Sequence, residues 1–197
     1  MNFIIMLVLC YFIGAIPSGV WIGKIFKNID VRDYGSRNSG ATNCYRVMGP
    51  QFGLAVLLAD ALKGFLPLLI ASKYIDSQFQ MFILAMVVIL AHTYSCFIKF
   101  KGGKGVATSL GVFLFLIPYI VMILCLIFIA VFLMFRYVSL ASISAAAALP
   151  ILVFIMDKRD NIYLFVLSLI ISGFVIYRHK TNIDRLLKGT ETKFKFK

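Results

Sequence analysis

The chain has 197 residues, 61% of them hydrophobic, and its mean hydropathy is +0.95. That is far more apolar material than a water-soluble domain of this length holds, so the composition excludes a soluble enzyme and implies a polytopic membrane protein. A formal charge of +12 would suit a nucleic-acid binder, but the basic residues fall in short segments between apolar runs, where topology and anionic headgroups account for them; no nucleic-acid partner is expected.

The first apolar run, Phe3 to Ile25, lacks a basic leader region and a small-residue cleavage site, so it reads as a retained span. With roughly 17–25 apolar residues needed per crossing, helices are expected at 3–26, 52–74, 79–98, 138–156 and 161–177. Residues 106–135 are too many for one span and few for two. Pro118 lacks an N–H and biases Ile117 away from the helix, which predicts two short spans meeting at Pro118-Tyr119. The expected fold is all-α, seven transmembrane helices in a single domain spanning 1–197.

The connecting segments 27–51, 75–78, 99–105, 117–119, 136–137, 157–160 and the tail from 178 then alternate sides. Apart from Lys63, which lies inside a span, all lysines and arginines fall on one side except Lys73, Lys158 and Arg159. The positive-inside rule makes the basic side cytoplasmic, with the N-terminus outside and the C-terminus inside. Six spans would move the basic tail to the other side. Cys10, Cys44, Cys96 and Cys125 lie in or beside separate spans with no paired spacing, which predicts neither a disulfide framework nor a metal site.

Three polar constellations share the basic side. In the first, Arg32 to Arg46 mixes glycine, serine, threonine and asparagine with arginines. These residues stabilise turns, and they also suit phosphate or carbonyl oxygens, with Ser36, Thr42 and Asn43 donating and Arg46 forking onto a phosphate. In the second, Gly102, Gly103 and Gly105 surround Lys104 just ahead of an apolar helix. Glycines let backbone N–H groups converge and approach a phosphate closely, and Lys104 supplies a counter-charge. The spacing is not that of a nucleotide-binding loop, because Lys99 and Gly105 occupy positions where that motif needs glycine and a hydroxyl. A simple cytosolic turn with topology-directed lysines fits the same residues. In the third, His179 and Asn182 open the basic tail, where a solvated charge run is the alternative.

Asp60 and Lys63 lie inside the second expected span, and their i,i+3 spacing lets them pair on one helix face. Asp60 sits about 12 Å below Phe52 by helical rise, close enough to support a pocket on the basic side, and the cost of burying a charge favours a structural or supporting role over direct chemistry. His92, at the end of the third expected span, is read as capping or orienting the glycine loop.

Gly35-Ser36 with Asn38, Gly40-Ala41-Thr42-Asn43 and Arg46, then Phe100-Lys101-Gly102-Gly103-Lys104-Gly105-Val106-Ala107-Thr108, then His179, Asn182-Ile183, Arg185-Leu186, Gly189 and Glu191 resemble the three cytoplasmic motifs of the PlsY family, bacterial acyl-phosphate:glycerol-3-phosphate acyltransferases. The resemblance extends to Asp60-Ala61-Leu62-Lys63-Gly64 and His92. Arg37 stands where the family usually has glycine, and Ala91 and Ser95 where it has glycine and proline. The resemblance implies seven spans in the bacterial cytoplasmic membrane and transfer of a fatty acyl chain from acyl phosphate to the 1-hydroxyl of glycerol 3-phosphate, giving lysophosphatidate. It implies no cofactor: an acyl phosphate is already activated, so no metal, coenzyme A or nucleotide is needed. The acyl phosphate is assigned to Gly102, Gly103, Lys104 and Gly105 with Ser36, Thr42 and Asn43. Arg46, Lys104, Ser142, His179 and Asn182 are assigned to the glycerol phosphate, and Asp60, Lys63, His92 and Glu191 to support. Direct attack without an acyl-enzyme is expected, from a monomer in the bilayer, with the hydroxyl proton going to His179 or to a substrate phosphate oxygen; a phosphate-binding role is favoured for His179. A membrane transporter or channel for an organic phosphate would also use glycines and cations, but its marks, midplane polar residues and an internal repeat, are weak here.

Overall fold

A computed structural model describes residues 2–157 and 161–195, and every regular element among them is helical. Lys158 and Arg159, counted above on the sparsely charged side, and Lys197, counted on the basic side, lie outside the described residues. The chain divides into one compact unit running through Phe115 and another beginning at Leu116.

In the first unit, α1 (Phe3–Ala15) and α2 (Ser18–Lys27) replace the single helix expected over 3–26, with a bend of 46° between them. Pro17 is the cause. It cannot donate to the Ile13 carbonyl, which takes the N–H of Ile16 instead. A break at membrane depth must have its freed backbone groups satisfied by protein. Here Ser95 Oγ donates to the Ala15 carbonyl, and Lys63 Nζ donates to the Ile16 carbonyl at 2.6 Å.

The segment expected to be a loop contains α3 (Ala41–Met48), an amphipathic helix that buries Asn43 and Cys44. After a turn at Gly49, whose φ of +105° is glycine's territory, comes α4 (Pro50–Ala71), with proline in its first turn where a missing N–H is harmless. α5 (Gln78–Thr93) ends five residues before the expected boundary, because the chain leaves the helix at Tyr94 and Ser95, makes a 3-10 turn over Cys96–Ile98, and passes through left-handed conformations at Lys99 and Phe100. α6 (Val106–Leu116) follows. Small residues let these helices approach closely: a methyl group on Gly64 would run into the Thr108 carbonyl, and one on Gly111 into that of Ala61.

In the second unit, α7 (Pro118–Phe135) begins immediately after Ile117, so the expected break at Pro118 is present. α8 (Val138–Met156) packs on α7 and on α9 (Ile162–Arg178). The tail, for which a solvated charge run was the alternative, forms α10 (Lys180–Leu187), bent 58° from α9 at His179, and then a strap. The strap is held by the Phe194 N–H on the Arg136 carbonyl at 2.7 Å and by the Phe194 ring edge-on to Phe132.

Four helical segments are long and apolar enough to cross a bilayer: Pro50–Ala71, Gln78–Ile98, Pro118–Phe135 and Val138–Met156. Counting each bent pair, α1 with α2 and α9 with α10, as one crossing raises the number to six, with α6 a shorter apolar helix beside them.

Asp60 and Lys63 are 2% and 5% exposed and pair at 2.7 Å. Removing one partner of such a pair leaves a buried charge uncompensated, at about 3–5 kcal/mol. Lys63→Met is therefore expected to lower the thermal midpoint in detergent steeply, and Asp60→Leu with Lys63→Met to recover most of the loss. Equal midpoints for the single and double variants would show that charge imbalance is not the cause.

Candidate active site

In the first unit, the Arg32–Arg46 segment is built around Asn43. Its Oδ1 accepts the N–H of Ser36 at 2.8 Å, and its Nδ2 donates to the carbonyls of Val31, Tyr34 and Asn38 at 2.9, 3.1 and 2.9 Å. Asn43 is 2% exposed. An amide has two hydrogens and one carbonyl oxygen, so this side chain is committed to the backbone of its own loop. It was expected to donate to phosphate; the structure makes it the clasp that shapes the loop carrying Ser36. Gly35, at φ +60°, fits against the same Oδ1, where a side chain would collide. Arg37, at φ +57°, holds a left-handed conformation without being glycine, a strain of roughly 1–2 kcal/mol at the position where the PlsY motif has glycine.

Ser36 is exposed, while Thr42 and Arg46 are half-buried in the first and last turns of α3. The N-terminus of α3 has Gly40 at its cap and receives no side-chain hydrogen bond there, leaving first-turn N–H groups for an acceptor. Asp30 and Arg32 brace the entrance: Arg32 Nη2 lies 2.7 Å from Asp30 Oδ2, and Arg32 Nη1 reaches the Ile98 carbonyl at 3.4 Å. The Arg32 hydrogen bonds hold the Asp30 carboxyl below its ordinary value. Val31 and Cys44 share an apolar cluster with Val20, Val56 and Ile98. The first motif and the segment leading into the glycine loop therefore stand on one core.

The glycine loop folds back onto the end of α5, where the Gly102 N–H donates to the Thr93 carbonyl at 2.9 Å. This satisfies one of the carbonyls a helix end leaves over. A methyl on Gly102 would overlap the His92 carbonyl, and one on Gly103 would overlap the His92 ring. Both glycines are thus required by the packing of the loop itself, whereas the sequence reading attributed them to close approach of a phosphate. Gly103 and Gly105 are buried, and Lys104 between them is half-buried.

The second unit holds its own cluster. Glu191, with a side chain 5% exposed, accepts Ser139 Oγ at 2.7 Å and Asn182 Nδ2 at 2.7 Å on Oε1, and Arg185 Nε at 2.6 Å on Oε2. Burial works against its charge, but these three hydrogen bonds and the Arg185 charge prevail and hold the carboxyl below the ordinary glutamate value. Glu191 thereby orients Asn182. Ser139 and Arg185 emerge as its partners, roles the sequence reading did not give them. His179 is buried at the junction of α9 and α10 with Nδ1 2.8 Å from the Val175 carbonyl. A carbonyl only accepts, so Nδ1 carries the hydrogen, and in the neutral ring Nε2 is the acceptor. Ser142 is buried and donates to the Val138 carbonyl one turn back at 2.8 Å.

Because the Glu191 value is depressed, the stability it supplies is complete at neutral pH and is lost as pH falls through that depressed value. Hydrogen bonds to a charged group contribute about 1.5–3 kcal/mol each, least for Arg185, whose side chain is 40% exposed. Glu191→Gln is expected to lower the thermal midpoint at pH 7 and to flatten its decline on the acid side. An unchanged acid profile would mean that another carboxylate sets it.

The family profile described as glycerol-3-phosphate acyltransferase matches residues 4–189. The glycerol-3-phosphate acyltransferase of Fusobacterium nucleatum is 67% identical over the full length of both chains, and that of Syntrophotalea carbinolica is 47% identical over 98% of each. Among solved structures, two crystal structures of PlsY, an integral membrane glycerol 3-phosphate acyltransferase, superpose on the chain: the glycerol 3-phosphate form with a TM-score of 0.91 and the lysophosphatidic acid form with 0.89. Both are 38% identical and cover 98% of this chain and 96% and 95% of their own. The chain belongs to the PlsY family of glycerol-3-phosphate acyltransferases.

Proposed function

We propose that the protein transfers a fatty acyl group from acyl phosphate to the 1-hydroxyl of glycerol 3-phosphate, releasing phosphate and lysophosphatidate, as the first acylation of phospholipid synthesis. The observation that carries this reading is the full-length match to a glycerol 3-phosphate acyltransferase crystallised in its glycerol 3-phosphate and lysophosphatidic acid forms. The donor is inferred from chemistry. An acyl phosphate carries its own leaving group, and the first turn of α3 with Lys104 offers what a departing phosphate needs, backbone N–H groups and a cation.

Residues of the first unit are assigned by chemical type: Gly102–Gly105 with Ser36 and Thr42 to the acyl phosphate, Arg46 and Lys104 to the glycerol phosphate. Asn43 acts through the loop that it clasps. From the second unit, Ser142 and Asn182 are assigned to the glycerol phosphate, and His179 to its 1-hydroxyl. The 1-hydroxyl oxygen attacks the acyl carbonyl carbon, the bond from that carbon to the phosphate oxygen breaks, and phosphate leaves with the electron pair. The Nδ1–H of His179 is spent on Val175, so a neutral imidazole is suited to accept the hydroxyl proton at Nε2 and poorly suited to donate to phosphate. This moves His179 from the phosphate-binding role favoured by sequence to that of the base.

Counting α6 as a crossing gives seven spans, and the distribution of lysine and arginine supports an outside N-terminus with the three motifs facing the cytoplasm. The protein is then a single-domain, monomeric enzyme of the bacterial cytoplasmic membrane.

Purified protein supplied with acyl phosphate and glycerol 3-phosphate is expected to release phosphate only when both are present, without coenzyme A or divalent metal. Acyl transfer from a thioester alone would overturn the donor assignment, and flux of glycerol 3-phosphate without chemistry would favour a transporter. In the same assay, His179→Gln is expected to lower kcat by about 10²–10⁴ and to remove the acid limb of its pH profile. A raised KM for glycerol 3-phosphate with kcat intact would return the proton to a substrate oxygen.

A further inference from the structure

The glycine loop rests on a side chain that belongs to the interior of the helical unit. His92, 8% exposed in the last turn of α5, has Nδ1 3.7 Å from Asp60 Oδ1. The ring atoms that a methyl on Gly103 would strike are Nε2 and Cε1. One ring nitrogen of the imidazole therefore addresses a buried carboxylate while the other lies under Gly103. Asp60 is itself fixed by Lys63, and Lys63 by the Ile16 carbonyl at the break between α1 and α2. Directly beside this contact, the Gly102 N–H is bonded to the Thr93 carbonyl, the residue after His92.

We propose that His92 is a positioning residue for the reaction: its ring, oriented by Asp60, forms the floor on which Gly103 sits and so sets the height of the Gly102–Gly105 backbone. The inference rests on the reading that this loop takes the acyl phosphate. Separation of 3.7 Å is beyond a good hydrogen bond, but a carboxylate at that range still favours the ring orientation that presents an N–H to it. The Nε2 side of the ring then has a fixed position, and only a residue without a side chain fits over it. A loop that must bring its backbone and Lys104 up to one phosphate tolerates little displacement, since a 1 Å misplacement is enough to cost a large part of a site's binding or rate. The glycine at 103 is thus dictated from beneath, by the imidazole.

A double-mutant cycle tests this. Gly103→Ala and His92→Ala are each expected to raise KM for acyl phosphate, more than KM for glycerol 3-phosphate, and to lower kcat/KM by about ten-fold or more. The two changes act through one contact, so the double variant is expected to be no worse than the poorer single, a coupling of roughly ten-fold within the range for touching residues. His92→Gln, which keeps a polar side chain of similar reach, is expected to retain a lower KM than His92→Ala, and it remains informative where the alanine variants fold poorly. Thermal midpoints in detergent are recorded alongside. Losses that multiply, with KM for acyl phosphate raised, overturn the inference and leave the phosphate assignment of the loop intact. Coupling confined to the thermal midpoints, with both KM values unmoved in every variant, overturns the role in substrate binding together with that assignment.

Discussion

A buried charge pair sets the architecture of the first unit. Asp60 and Lys63 lie on one face of α4, where water is excluded, and each isolated charge at such depth would cost about 2.5–3.5 kcal/mol on insertion scales. Mutual neutralisation removes most of that cost and leaves each partner a second task. Lys63 spends a hydrogen on the Ile16 carbonyl and so makes the Pro17 break tolerable. Asp60 faces His92, whose ring lies under the glycine loop. A backbone defect in one helix and the glycine loop at the end of another are thereby referred to the same two side chains.

The second unit solves a comparable problem by adding neutral donors to a charge pair. Glu191 has a cation at close range, Arg185 at 2.6 Å, but unlike Asp60 it does not depend on that cation alone. It collects a hydroxyl, an amide and a guanidinium from α8 and α10, and distributing the charge over three donors suits a carboxylate near the edge of the apolar region. The result is an immobile Asn182 beside a His179 whose tautomer is set by the Val175 carbonyl. In both units the candidate side chains are held by other side chains or by backbone carbonyls, as preorganised sites require.

Much of this fold was legible in the sequence, and the failures share a cause. The break at Pro118 could be read because thirty apolar residues are too many for one crossing. The break at Pro17 could not, because 3–26 is an unremarkable span length and proline is tolerated in membrane helices; what makes the break tolerable is donors 47 and 80 residues away. α3 and α10 were read as loop and tail because their buried positions are occupied by Asn43, Cys44 and Asn182, polar or small residues that do not announce an amphipathic face. Asn43 illustrates the limit for site residues. Residue type and motif position mark it as important, but whether an amide serves a substrate or its own loop depends on where the carbonyls of Val31, Tyr34 and Asn38 come to lie.

The i,i+3 placement of Asp60 and Lys63 has a consequence for biogenesis. Because the two charges neutralise each other within α4, the helix can partition from the insertion machinery into lipid as a nearly neutral segment, without waiting for another helix to supply a counter-ion. The bond from Lys63 to Ile16 joins different helices and belongs to the later step in which inserted helices assemble. Local pairing thus separates entry into the bilayer from assembly within it, and the residues that later organise the interior impose little barrier on the way in.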